Sequence, residues 1–218
     1  MPFTVLFDND GVLVDTEERH FEASREILAS RGVVLTREYF IAHCLHRGES
    51  MIELARSRGR GDAELERLRE ARNARYAELV AAAPCVIPGV PEALEQLRGR
   101  VRMGIVTSSL RKHFDAIHAA SGLLRYFEFV LTREDYARVK PHPDAYLAAL
   151  QRFRLRPEEC VVVEDAGRGL AAARAAGLRC LVIPHGLTRG GDFAGACKVL
   201  AGIRELPAEV AALSGLSP

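Results

Sequence analysis

The sequence is poor in several residue types that particular functions need. It contains no Trp, only 6% aromatic residues, and a formal net charge of just +1 over 218 residues. A balanced charge creates no overall field that attracts nucleic acid, and few aromatic rings leave little surface on which bases can stack. These shortages argue against a nucleic-acid-binding protein.

Long apolar runs are also missing. No run approaches the roughly 20 residues that a membrane-spanning helix needs, and the opening segment MPFTVLFDND turns acidic too early for a secretory signal. We therefore expect a soluble, cytoplasmic protein without membrane contacts, and either a monomer or a weak homodimer.

Cysteine and lysine are scarce too. The five cysteines are scattered and form no C-x-x-C pair, so we predict small buried side chains in a reducing compartment and no zinc site. The chain has 27 arginines but only three lysines, Lys112, Lys140 and Lys198. Chemistry that requires an amine therefore has few places to find one.

Short apolar runs alternate with helical patterns along most of the chain. The runs occupy residues 3–7, 101–106, 127–131, 160–164 and 179–183. Continuous hydrophobicity is typical of strands that are buried on both faces, and the helices between them supply the crossovers of a parallel sheet. The pattern predicts an α/β fold with a Rossmann-like parallel sheet.

One interval interrupts this alternation. Between residues 16 and 80 the pattern is helical throughout, which is far longer than an ordinary connection. We predict an inserted all-helical cap domain over 16–80 and a catalytic core formed by 1–15 and 81–218. Asp62 is the predicted N-cap of the last cap helix.

Polar residues that are able to take part in catalysis or ligand binding follow four of the predicted strands. Each set alone is typical of a turn, a helix cap or a surface charge. Because the carboxyl ends of parallel strands meet at one edge of the sheet, we expect the four sets to converge. They are Asp8, Asp10 and Gly11; Thr107, Ser108 and Ser109; Lys140 and Pro141; and Glu164 and Asp165.

These motifs resemble those of a known family. The segments FDNDGVLVDT at 7–16, TSS at 107–109, KPHP at 140–143 and VVVEDAGRG at 161–169 are similar to the four motifs of the haloacid dehalogenase-like hydrolases. The helical insertion after the first motif resembles the branch that contains β-phosphoglucomutase and related phosphatases. The resemblance covers nearly the whole chain.

The resemblance implies a Mg²⁺ site and roles for the core residues. The metal ligands would be Asp8, the backbone carbonyl of Asp10, Asp165, and Glu164 either directly or through water. Asp8 would be the nucleophile and Asp10 the general acid and base. Lys140 would offset negative charge, and Thr107, Ser108 and Ser109 would bind the phosphate.

The same resemblance implies substrate contacts from the cap. His20 lies where relatives carry a histidine that helps to place the acid/base aspartate, although a surface histidine without a catalytic role is an equal alternative. Arg47 and Ser50 look like residues of the family's specificity loop, and Arg72 lies where the mutases have a lysine. Arg47 and Arg72 would bind a second anionic group, or they are solvated helix charges.

Three functions follow from this resemblance. We expect a Mg²⁺-dependent phosphatase that hydrolyses a small phosphorylated metabolite, such as a sugar phosphate, through an aspartyl-phosphate. A sugar phosphomutase similar to β-phosphoglucomutase is the alternative. A catalytically idle binding protein on the same fold is disfavoured because Asp8, Asp10, Lys140 and Asp165 are all present.

Overall fold

The computed structural model describes residues 2–83 and 85–215 and contains a six-stranded parallel sheet with helices on both faces. The strand order is β3-β2-β1-β4-β5-β6. The strands are β1 Thr4–Phe7, β2 Arg102–Val106, β3 Phe129–Leu131, β4 Cys160–Glu164, β5 Arg179–Val182 and β6 Lys198–Val199. The predicted α/β fold class is confirmed.

The helices alternate with the strands after residue 85 and cluster before it. In the first part they are α1 Glu17–Ala29, α2 Arg37–Tyr39, a π-helix Phe40–Leu45, α3 Glu53–Arg56 and α4 Asp62–Ala82. In the second part they are α5 Val90–Leu97, α6 Arg111–His118, α7 Asp144–Arg152, α8 Gly167–Ala175 and α9 Leu206–Ser214.

Alternate residues of the central strands enter two different hydrophobic clusters. Val5 and Phe7 of β1 pack with α5, α6 and α9, whereas Leu6 packs on the opposite face with α7 and α8. All residues of β1 and β4 are buried. Burial on both faces explains why the runs 5–7 and 160–163 within these strands are apolar throughout.

Gly104 shows how tightly the strands are packed. It pairs with Phe129 across β2 and β3, and a Cβ at this position would lie 2.1 Å from the Phe129 ring. The aromatic side chain thus occupies the space above the glycine, which explains a flexible residue inside an interior strand.

The helical block before residue 83 has its own hydrophobic cluster, which includes Leu28, Phe40, Ile52 and Leu65. Its longest helices, α1 and α4, pack against each other. The described part of 16–80 contains no strand, in agreement with the predicted helical insertion. The domain limits of 16–80 stay a prediction, and α4 continues two residues past the predicted end, to Ala82.

Two sequence-based predictions are wrong. Gly61, with extended backbone, is the N-cap of α4, and Asp62 is its first helical residue. In the described part of the chain, the Asp62 carboxylate makes no capping contact and instead accepts a hydrogen bond from Arg56 at 2.7 Å. Cys197 is exposed, whereas the other four cysteines are buried as expected.

Strand β6 was not predicted, because its two residues are exposed and are not part of an apolar run. Within the described residues, no helix is both long and apolar enough to cross a membrane.

Replacement of Leu65 by Ala tests the separate cluster of the helical block. Leu65 is fully buried there, so we expect Leu65→Ala to lower the free energy of unfolding by about 2–5 kcal/mol in urea titrations. Leu147→Ala is the control, because Leu147 is 46% exposed and its truncation should cost less than about 1 kcal/mol. Equal losses in both variants would contradict a packed core in this region.

Candidate active site

The central strands bring the predicted residues to one edge of the sheet. Strand β1 lies between β2 and β4, so Asp8, directly after β1, lies between Thr107, directly after β2, and Glu164, the last residue of β4. A cavity of about 310 Å³ opens above this edge. Residues of both the sheet edge and the helical block line it.

Lys140 connects the acidic groups at the bottom of the site. Its Nζ donates a hydrogen bond to Asp8 Oδ1 at 2.9 Å and to the Val106 carbonyl at 2.9 Å, and it lies 2.7 Å from Glu164 Oε1. Burial lowers the pKa of Lys140, but the attraction of Asp8 and Glu164 outweighs this effect and the net shift is upward. The ammonium group is therefore a fixed positive charge.

Asp8 is a carboxylate in a crowded acidic environment. Burial and the negative charge of Glu164 raise its pKa to about 7, although Lys140 acts in the opposite direction. The backbone N–H of Asp8 donates to the Val163 carbonyl at 2.9 Å, which continues the pairing of β1 with β4. Asp8 also lines the cavity, so its carboxylate is accessible to a bound ligand.

Glu164 is held on two sides. The Tyr146 hydroxyl donates a hydrogen bond to Glu164 Oε1, which also faces Lys140. A Cβ on Gly169 would lie only 1.9 Å from Glu164 Oε2. The glycine in the first turn of α8 is therefore required to leave room for the carboxylate.

Asp165 has the features expected of a metal ligand. Its Oδ2 is buried and makes no hydrogen bond with any described residue. A Cβ on Gly11 would lie 2.0 Å from the same oxygen, and the backbone of Gly11 is left-handed with φ +80°. Burial, followed by the charges of Glu17 and Asp8, raises the pKa of Asp165 well above its ordinary value.

Three carboxylates converge on one point. One oxygen each of Asp8, Glu164 and Asp165 lies within 4.8 Å of the others. An all-oxygen donor set is what a hard divalent cation prefers, and such a cation would remove the repulsion among these buried groups. The residues present thus fit a divalent metal ion.

Asp10 is surrounded by hydroxyl groups. Its Oδ2 accepts hydrogen bonds from Ser109 Oγ at 2.7 Å and from Thr107 Oγ1 at 3.3 Å, and its Oδ1 accepts one from Thr16 Oγ1. The hydroxyls of Thr107 and Ser109 therefore orient Asp10 in this structure, while Ser108 lines the cavity. Phosphate binding by the three residues stays a prediction.

The predicted cap residues divide into two groups. His20, Ser50 and Arg72 line the cavity. Arg47 does not: its side chain is 63% exposed and lies 3.8 Å from Glu49. The position of Arg47 agrees with the alternative that it is a solvated helix charge. The position of His20 in the cavity wall does not agree with the alternative that it is a histidine on the helix surface.

His20 and Arg72 form a connected pair. A guanidinium nitrogen of Arg72 lies 2.9 Å from His20 Nε2, and Arg72 Nε donates to Asn73 Oδ1 at 2.9 Å. Burial, and then the positive charge of Arg72, lowers the pKa of His20 well below its ordinary value. His20 is therefore neutral, with Nε2 accepting from Arg72.

Sequence reasoning missed three residues of the site, Glu17, Tyr146 and Arg168. Glu17 and Arg168 line the cavity, and Tyr146 supports Glu164 from below. Glu17 directly follows the first motif and Arg168 stands between the two glycines of the fourth. Their proximity to these motifs in the sequence could have identified them. Single charged residues in a helical pattern are, however, typical of solvent-exposed positions.

Comparisons with known proteins agree with this geometry. A profile of the haloacid dehalogenase-like hydrolases matches residues 4–177. The chain belongs to this family. The predicted family is thereby confirmed, and relatives that are named as phosphatases support the predicted enzyme class.

Individual relatives are similar over most of their length. Protein CbbY of Rhodobacter capsulatus is 36% identical over 88% of this chain and 89% of its own. Fructose-1-phosphate phosphatase YqaB of Escherichia coli is 32% identical over 80% of this chain and 92% of its own. The crystal structure of a CbbY variant from Rhodobacter sphaeroides in complex with xylulose-1,5-bisphosphate has a TM-score of 0.81 and 30% identity, covering 94% of this chain and 96% of that one.

Replacement of Gly169 tests the space that Glu164 needs. In Gly169→Ala the new methyl group would displace a carboxylate that Lys140 and Tyr146 hold in place. We expect affinity for divalent cations, measured by isothermal titration calorimetry, to fall about tenfold or more. Gly190→Ala is the matched control, since a Cβ there meets no atom within 4 Å, and an equal loss in both variants would contradict the prediction.

The raised pKa of Glu17 predicts that the stability of the metal-free protein depends on pH. Burial raises its pKa from 4.5 to about 8, so the folded state holds this proton more tightly than the unfolded chain. Between these values stability falls as pH rises, by at most about 1.4 kcal/mol per pH unit for one group. In urea titrations with a chelator, the free energy of unfolding should fall less between pH 5 and pH 8 in Glu17→Gln than in the wild type. The same fall in both proteins would refute the raised pKa of Glu17.

Proposed function

We propose that this chain is a Mg²⁺-dependent phosphatase that hydrolyses a small phosphorylated metabolite, a sugar phosphate or a similar ester, through an aspartyl-phosphate. The observation that carries the proposal is the position of Asp8. It opens into the cavity, contacts Lys140, and lies beside a set of carboxylates that fits a divalent cation.

Asp8, Glu164 and Asp165 are the side chains that would hold Mg²⁺, with the backbone carbonyl of Asp10 as the further ligand implied by the family. When bound, the metal ion would supply positive charge that reduces the repulsion between a carboxylate and a phosphate dianion. Lys140 adds a second, permanent positive charge beside Asp8.

In the first step a carboxylate oxygen of Asp8 attacks phosphorus, and the bond from phosphorus to the ester oxygen breaks. Asp10, protonated at this stage, gives its proton to the leaving oxygen and releases the alcohol. The hydroxyls of Thr107 and Ser109 fix the direction in which Asp10 presents its carboxyl group.

In the second step water attacks the phosphorus of the aspartyl-phosphate. Asp10, now ionised, takes a proton from that water, and the bond between phosphorus and the Asp8 oxygen breaks. Inorganic phosphate leaves and both carboxyl groups return to their starting states. The two aspartates thus serve as nucleophile and as alternating acid and base.

The relatives support a sugar phosphate as the substrate class. One is named fructose-1-phosphate phosphatase, and a CbbY structure contains xylulose-1,5-bisphosphate. In the present chain, Ser50, Arg72 and His20 extend the cavity beyond the sheet edge. That extension offers polar contacts to the part of a substrate that is not transferred.

Removal of the proposed nucleophile is the most direct test. We expect Asp8→Asn to lower phosphate release from an aryl phosphate with Mg²⁺ by about 10³-fold or more, because the amide cannot form the covalent intermediate. The wild type should lose activity in a chelator and regain it when Mg²⁺ is restored. Asp115→Asn, at an exposed position on α6, should retain the wild-type rate.

An Asp8→Asn protein that keeps full activity would refute the assignment. Incubation with a hexose 1-phosphate and a trace of hexose bisphosphate separates hydrolysis from the mutase alternative. Accumulation of free phosphate supports the phosphatase, whereas accumulation of the 6-phosphate without free phosphate would overturn it in favour of the mutase.

A further inference from the structure

Two side chains of the cavity, an acid and a guanidinium, make no hydrogen bond or ion pair with the residues that the structure describes. Glu17 lies in the first turn of α1 and is 8% exposed, and Arg168 is the second residue of the core helix α8. Both line the cavity. Within residues 2–83 and 85–215, neither side chain makes a hydrogen bond or an ion pair.

Arg72, the other arginine of the cavity, is different. Its guanidinium is engaged with His20, with Asn73 and with the sulfur of Met51. Arg72 is therefore built into the wall of the helical block, whereas the guanidinium of Arg168 has donors available for a ligand.

Glu17 and Arg168 lie near the reacting carboxylates. Burial lowers the pKa of Arg168, but Glu17, Asp8 and Asp165 raise it more strongly. Glu17 in turn feels the charges of Arg168, Asp10 and Asp8. Glu17 directly follows Thr16, whose hydroxyl donates to Asp10, and Arg168 is the third residue after Asp165. The helical block and the core therefore each place one of the two side chains at the cavity, beside the carboxylates proposed to react.

The chemistry of this pair selects among ligand groups. A second phosphate would gain from Arg168 but would be repelled by the neighbouring aspartates and by Glu17 in its ionised form. An apolar chain would desolvate two charges without giving either a hydrogen bond. A hydroxyl group can donate to the carboxylate and accept from the guanidinium, so neighbouring hydroxyls satisfy both side chains.

We propose that Glu17 and Arg168 form a polyol subsite that recognises hydroxyl groups on the carbon chain next to the transferred phosphate. This inference rests on the proposed phosphatase function and names the residues that select its substrate. Glu17 accepts from one hydroxyl, Arg168 donates to an adjacent one, and the ester must carry both to use the pair.

The test compares two esters with the same six-carbon chain, sorbitol 6-phosphate and n-hexyl phosphate. We expect the wild type to prefer the polyol ester by about tenfold or more in kcat/KM, since a site built for hydroxyl groups rejects an analogue that lacks them. In Glu17→Gln and in Arg168→Met this preference should fall about tenfold. Arg168→Lys, which keeps the charge but loses the planar fork, should retain an intermediate preference.

Two matched variants on the exposed side of α1, Glu22→Gln and Arg25→Met, remove the same charges outside the cavity. They should keep the wild-type ratio. Equal losses on both esters in the Glu17 and Arg168 variants, or a wild type without preference, would overturn this inference alone. A wild type that releases phosphate from neither ester nor from an aryl phosphate would overturn the proposed function as well.

Discussion

One buried amine compensates the charge of the site. Lys140 lies between Asp8 and Glu164 and is itself 3% exposed. Desolvation of an ion costs several kcal/mol unless an opposite charge and hydrogen bonds offset it. Without the ammonium group, two buried carboxylates would face each other, so the local order of the strand ends depends on this contact. In a chain with only three lysines, the position of this one is especially informative.

The sequence predicted those features that local patterns encode. Continuous apolar runs predict five strands because strands that are buried on both faces have apolar interiors. For β4 the predicted bounds, 160–164, are the observed ones. The convergence of Asp8, Lys140 and Glu164 followed from the parallel arrangement, since strand ends of one direction share an edge.

Other features depend on tertiary contacts that no local pattern records. The cap position of Gly61 was missed because Asp62 has a good capping side chain that instead pairs with Arg56. The orientation of Thr107 and Ser109 toward Asp10 depends on residues about a hundred positions apart. Arg168 resembled an ordinary helix charge until the fold placed it in the cavity.

The cavity joins two parts of the chain with different contributions. The sheet edge supplies the carboxylates and the amine, whereas α1 and α4 supply Glu17, His20 and Arg72. Helix α4 also links the two interiors, because Leu65 packs in the cluster of the helical block while Tyr76 packs in that of the sheet. The groups proposed to react and those proposed to select the substrate are therefore connected through the packing of one helix.

The excess of arginine over lysine has a consequence for how the enzyme responds to acidity. A guanidinium keeps its proton over the whole range in which proteins are stable, so the positive walls formed by Arg72 and Arg168 hold a constant charge. Burial, and then the positive charges of Arg72 and Arg168, lower the pKa of His20, so its imidazole likewise stays neutral. Among the groups that line the cavity, we therefore expect the carboxyl groups at its floor to contribute most to changes of rate with acidity, together with the ionisation of a phosphate-ester substrate itself.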